Sequence, residues 1–163
     1  MRTLTVFLLA FTSALAAPND ELAAWVKQDC DDYRTLVTQI DHAKSAHDVA
    51  AALRENVRRQ RQTIKTLLRF ARSHPDLRDA AQLGLSEDGQ QQYASSRASS
   101  AEITATQQRL TGCLDSVEPA AQQDMVAMLG KYHEDDEVIS ASKALHEMWA
   151  ENDRSLLEVL ARR

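Results

Sequence analysis

The chain has 163 residues, with 19 Lys and Arg against 24 Asp and Glu, four Gly, three Pro, two Cys and 5% aromatic residues. That length suits one domain and excludes two independent cores. A net charge of −5 argues against non-specific nucleic-acid binding, which runs on surplus cations that displace phosphate counterions. Scarce Gly, Pro and aromatic residues beside plentiful Ala, Leu, Gln, Arg and Glu point to helices and away from strands.

Met1-Arg2, the apolar run Leu4 to Phe11 and the small-x-small triplet Ala14-Leu15-Ala16 read as a signal peptide cleaved after Ala16. Residues 1–16 are then a targeting segment and 17–163 a single domain. The apolar run is broken by Thr12, Ser13 and Pro18, well short of the roughly 20 residues a membrane span needs. The expected location is the periplasm or the medium outside the cell, with no membrane span in the mature chain. In such a compartment disulfides persist, so Cys30 and Cys113, the only two cysteines, are expected to pair.

The first helix is expected from Asn19 to about Ala43, with Leu22, Val26, Cys30, Tyr33, Val37 and Ile40 four and three residues apart on one face. Trp25 and Leu36 widen that face. Ser45 and Asp48 form a capping-box-like start for the second helix, whose stripe is Val49, Leu53, Val57, Ile64, Leu67, Leu68 and Ala71. Pro75 forces a kink or stop at His74, and a short helical piece, Asp76 to Leu83, follows. A third helix is expected from about Ser86 to Leu114, its face built of Ala94, Ala98, Ala101, Ala105 and Gly112 and thus suited to close packing, or else a weakly held surface helix, since Gln90-Gln91-Gln92 and Ser95-Ser96 add little apolar area. Ser116 to Pro119 reads as a cap opening a short helix with Met125, Val126 and Leu129. The last helix begins with the acids Glu134 to Glu137, ends at Arg162-Arg163, and carries the stripe Val138, Ala141, Leu145, Met148, Trp149, Leu156 and Val159-Leu160. The expected architecture is all-α: a four-helix-type bundle with one or two additional short helices.

The cysteine pair tests that register. A third helix starting level with Ser73 would carry Cys113 about 40 Å down the bundle, past Cys30 at about 20 Å above the first turn. A bridge needs the Cα atoms within about 7 Å. The expectation is therefore that Asp76 to Leu83 continues upward beyond Pro75 and starts the third helix higher.

Signatures of catalysis are few. No Cys-x-x-Cys-His, no Gly-x-Ser-x-Gly, no phosphate-binding Gly-rich loop and no Glu-x-x-His occurs, so no catalytic residue, metal ligand or cofactor is assigned. His133 followed by Glu134-Asp135-Asp136-Glu137 serves either a divalent metal or the positive end of the last helix. The unusual feature is on the second helix, where Arg54, Arg58, Arg61, Lys65, Arg69 and Arg72 recur four and three residues apart, with Arg59 beside them. This row faces acids such as Asp29, Asp31, Asp32, Glu147, Glu151 and Glu158, or stands in solvent, or gathers an anion through two-point guanidinium bonds. Arg54, Arg58, Arg61, Lys65 and Arg69 are the candidate ligand-binding residues.

The stretch Ile40-Asp41-His42-Ala43-Lys44-Ser45-Ala46-His47-Asp48-Val49-Ala50-Ala51-Ala52-Leu53 resembles the helix-helix junction of periplasmic cytochrome b562-like bundles and of exported bacterial helical-bundle proteins. The resemblance implies export and a bundle fold. The cytochrome's haem is held by a Met from the first helix and a His from the last; residues 19–43 contain no Met, although His146 lies on the last helix. Secreted all-helical chorismate mutases share only the class features of export, a disulfide and helix-borne arginines. The leading expectation is a non-enzymatic exported bundle that binds an unknown protein or small-molecule partner. The alternatives are a small-anion-binding protein or enzyme using the arginine row, and a haem or metal carrier using His146 or His133 with Met125, Met128 or Met148.

Overall fold

The computed structural model describes residues 18–93 and 101–161. Among them every regular element is helical: α1 (Pro18–Asp41), α2 (Ala46–Ser73), a 3-10 segment (Pro75–Gly84), α3 (Glu87–Tyr93), α4 (Ala101–Leu114), α5 (Pro119–Lys131) and α6 (Asp136–Ala161). The expected signal peptide and the terminal Arg162-Arg163 lie outside the described residues.

Three long helices carry the core, and their pairing follows from named contacts. Asp32 on α1 meets Thr63 on α2 and His74 at the end of α2 lies 3.6 Å from Glu21, so α1 and α2 are antiparallel. Arg54 reaches Glu137 and Arg61 reaches Glu151, so α2 and α6 run parallel. Most of the predicted α1 stripe is inside: Leu22, Trp25, Val26, Cys30, Val37 and Ile40 are buried, while Tyr33 and Leu36 are half-buried. Ser45 caps α2 as expected, accepting from the Asp48 backbone N–H while the Asp48 carboxylate accepts from the Ser45 N–H. From the α2 stripe Val49, Leu53, Val57, Ile64, Leu67 and Ala71 are buried, and from α6 Val138, Ala141, Met148, Leu156, Val159 and Leu160. The Asp135 side chain accepts from the backbone N–H of Glu137 and Val138, starting α6.

The expected third helix is not one helix. Gln90 and Tyr93 line the same small cavity as Gln107, Leu110 and Thr111, whereas a continuous helix would set Tyr93 and Leu110 about 25 Å apart. α3, which packs on α6, and α4, which packs on α1, are therefore separate helices. Ala94 and Ala98 lie outside the described residues. Ala105 and Gly112 face solvent, and nothing lies within 4 Å of a Cβ built on Gly112; α4 turns Thr106 and Leu110 inward instead. Ala105 and Gly112 thus mark the outside of this helix.

The cysteine register is met by a route other than the expected upward extension. The 3-10 segment kinks at Leu77 and folds back over α2 and α6, so that Gly84 sits against Ile64, Leu67 and Leu156. The short α4 then reaches α1 at the level of Cys30, and Cys30 and Cys113 are joined with Cα atoms 6.1 Å apart. Below the bridge α5 continues along α1. Arg34 donates to Ser116 Oγ at 2.7 Å, and the Tyr132 hydroxyl donates to the Lys44 carbonyl at 3.3 Å. Glu118, not Ser116, occupies the cap position of α5, with Pro119 first in the helix; Ser116 donates to the Cys113 carbonyl. Of the α5 residues expected to pack, Met125 and Leu129 lie against the core and Val126 is exposed.

Candidate functional site

α2 presents a polar seam to α1 and a cation row to solvent. The seam divides the core. One apolar cluster gathers Leu22, Trp25, Val26, Ile64, Leu67 and Phe70, the other Ile40, Val49, Leu53, Val138 and Ala141. Between them Asp32 is completely buried, its carboxylate accepting from Thr63 Oγ1 at 2.7 Å and from Gln28 Nε2 at 2.8 Å, with Arg59 Nη1 3.6 Å away. One turn earlier Gln60 Nε2 donates to Asp29 Oδ1 at 3.1 Å. Buried charge persists only where it is paired and hydrogen-bonded, and Asp32 satisfies that rule.

The outward row is a line of cations on one face of α2. Arg54 lies 3.6 Å from Glu137, Arg58 makes a two-point bond to Glu55, and Arg61 is 3.7 Å from Glu151. Glu55 also accepts from Arg59, and these bonds, Arg58's foremost, hold its carboxyl down at about 2. Lys65, Arg69 and Arg72 are exposed and make no ion pair among the described residues. From Arg54 to Arg72 the row covers roughly 27 Å at 1.5 Å per residue. Arg61 and Lys65 share a shallow surface groove with Glu151, Asn152 and Ser155, and Arg54, Arg58 and Arg69 stand outside it. The acids that meet the row are therefore Glu137 and Glu151 of α6 and Glu55 of α2 itself, while Arg59 alone turns to Asp32.

The residues weighed for haem or metal are scattered. His146 and His133 bond to the Ser142 and Gly130 carbonyls, Met148 is buried beside Asn152, and Met125 and Met128 pack on the second apolar cluster. Among the described residues no three His, Cys, Asp or Glu side chains are grouped to hold a metal ion.

Two features were missed by sequence reasoning. The seam had a signal: Asn56, Gln60 and Thr63 fall at core spacing between Leu53 and Ile64, as Asp29 and Asp32 do within the α1 stripe. The other is an open groove of about 810 Å³ between α3 and α6, lined by Trp149, Leu157, Glu87, Arg154 and Glu158 among others. Its edge is fixed by Asp153, which accepts from the Ser86 backbone N–H at 2.8 Å and from its hydroxyl. Gly89 allows that approach, since a Cβ there would meet the Asp153 carboxyl at 2.7 Å.

Fold and site together define an all-helical, disulfide-linked protein with a cationic helix face. No family model, no curated protein and no solved structure matches the chain, so the resemblance at residues 40–53 gains no support from them and meets no contradiction.

Proposed function

We propose that this chain is an exported helical-bundle protein that binds a partner and does not transform a substrate, and that the partner is anionic and docks on the outer face of α2. One observation carries the reading: Lys65, Arg69 and Arg72 stand exposed and without an ion pair among the described residues, in line with Arg58 and Arg61. The unpaired guanidinium groups of Arg69 and Arg72 offer two-point bonds to carboxylate, sulfate or phosphate at little desolvation cost, and the Lys65 ammonium adds a point charge beside them. Export is supported by the reading of residues 1–16 and by a cysteine pair at bonding distance. Among the described residues no helix is long and apolar enough to cross a membrane.

The test is retention on an immobilised sulfated polysaccharide, eluted with salt. The wild-type chain is expected to bind and to leave at a salt concentration that falls sharply in a Lys65→Glu, Arg69→Glu, Arg72→Glu variant, because exposed charge pairs are screened by salt. Equal elution of the two chains, or no retention of either, overturns the assignment of the face.

A further inference from the structure

Gln60 is 5% exposed, and its amide is half used. Its Nε2 donates to Asp29 Oδ1 at 3.1 Å, while its Oε1 is buried and has no hydrogen-bond partner. A buried carbonyl oxygen without a donor carries an unrecovered desolvation cost. An ionised Asp29 cannot relieve it, because a carboxylate is acceptor only. A protonated carboxyl can, since it presents an acceptor oxygen and an O–H on one planar group, and a primary amide presents the complementary donor and acceptor.

From this geometry we infer that Asp29 and Gln60 form a proton-binding pair at the α1–α2 seam, in which a proton taken up from solvent onto Asp29 converts one hydrogen bond into a two-bond acid–amide ring and tightens α1 on α2. The proton stays on Asp29 Oδ2 and is shared with Gln60 Oε1; no other bond is made or broken.

The surroundings favour uptake. Burial raises the Asp29 carboxyl above the ordinary aspartate range, the Gln60 bond to the charged form opposes this, and the nearby Asp32 charge adds to the rise. α1 packs on α2, α4 and α5. From α2, Arg59 turns to Asp32 and Glu55, and Arg58 to Glu55. From α4 the titratable side chain described is the exposed Arg109. α5 brings Asp124 and Lys131 beside the other half of α1, toward Lys44. Among the described residues of these elements no cation is paired with Asp29 itself.

The sign is fixed by the raised value. The folded chain binds the Asp29 proton more tightly than the unfolded chain, so this contribution is complete below the unfolded carboxyl range and is lost as pH rises through the folded value. Asp29→Asn supplies a permanent N–H in place of the proton and can form the same ring with Gln60. Thermal melts of the wild-type chain and D29N at about pH 4.5 and at neutral pH read the difference. D29N is expected to melt about 3 °C or more above wild type at neutral pH, with the gap closing in acid as the wild type takes up its proton. A D29N chain that melts at or below wild type at neutral pH, or a gap that does not change with pH, overturns the inference. If D29N does not fold, a carboxyl-carbon NMR titration of the wild-type chain decides. An Asp29 midpoint above those of exposed aspartates supports the pair, and one at or below them refutes it.

Discussion

Replacing Cys113 by Ser cuts the one covalent tie between α4 and α1. The bridge spans 83 residues of sequence, and for a loop of that length the chain-entropy relation gives ~4.5 kcal/mol at 25 °C. Cys113 is the better site for the change because Cys30 is only 3% exposed and Cys113 is half-buried, so a hydroxyl there costs less desolvation. A chain of this size shifts by roughly 2–4 °C per kcal/mol, so the melting midpoint should fall by about 9–18 °C. Calorimetry of Cys113→Ser, and of the wild-type chain with and without reductant, makes the measurement. The variant and the reduced wild type should agree with each other and fall well below the oxidised protein. Midpoints of all three within about 2 °C would show that packing of Leu110 and Thr106, and not the bridge, holds α4 on α1.

Four further changes test the core, its polar seam, a helix cap and the cation row. Gly84→Ala drives a Cβ to 2.6 Å from Leu67 Cδ2 and 3.0 Å from Ile64 Cδ1; overpacking of this kind costs about 1–3 kcal/mol, read as a lower urea midpoint at unchanged slope. Asp32→Ala strands the buried Thr63 hydroxyl and removes one of the two acid partners of Arg59, leaving it Glu55, and should destabilise by about 2–4 kcal/mol; a change below about 0.5 kcal/mol would show the seam to be incidental. Ser45→Ala opens the capping box of α2 and should cost about 1 kcal/mol in the same urea assay. In acid, Glu55 behaves oppositely to Asp29: its carboxyl is lowered from 4.5 to about 2 by Arg58 and Arg59, so its contribution is present above the ordinary carboxylate range and is lost as pH falls toward 2. Arg58→Ala should move the Glu55 carboxyl-carbon midpoint upward; an unmoved midpoint removes the pair from the account.

Much of the fold was written in periodicity. The stripes of α1, α2 and α6 are long, apolar and regularly spaced, and burial follows most of their positions, with Tyr33, Leu36, Leu68, Leu145 and Trp149 half-buried at the stripe edges, because each long helix has one face to hide. Pattern failed between Ser86 and Leu114, where Ala, Ser and Gln dominate. Small and polar residues fit a packed helix, an exposed helix and a break between two helices equally well, and only the cavity that Tyr93 and Leu110 share distinguishes them. The direction taken after Pro75 was hidden for a related reason: proline announces a break in the helix and says nothing about which way the chain leaves. The cations of α2 could be placed from spacing alone, and Asp32 and Glu151 were among the acids expected to face them; Glu137 was not, since it meets Arg54 only because α2 and α6 run parallel. The seam stayed unseen because polar residues at core spacing were passed over in favour of the apolar residues around them.

The central claim is that the outer face of α2 is the binding surface. Amide chemical-shift mapping of the labelled chain during titration with a sulfated oligosaccharide tests it most directly. The account predicts shifts concentrated at Arg58, Arg61, Lys65, Arg69 and Arg72, weakened by salt and abolished by Lys65→Glu with Arg69→Glu. Shifts confined to the groove around Trp149 and Arg154, or an unperturbed α2 at saturating probe, would contradict it.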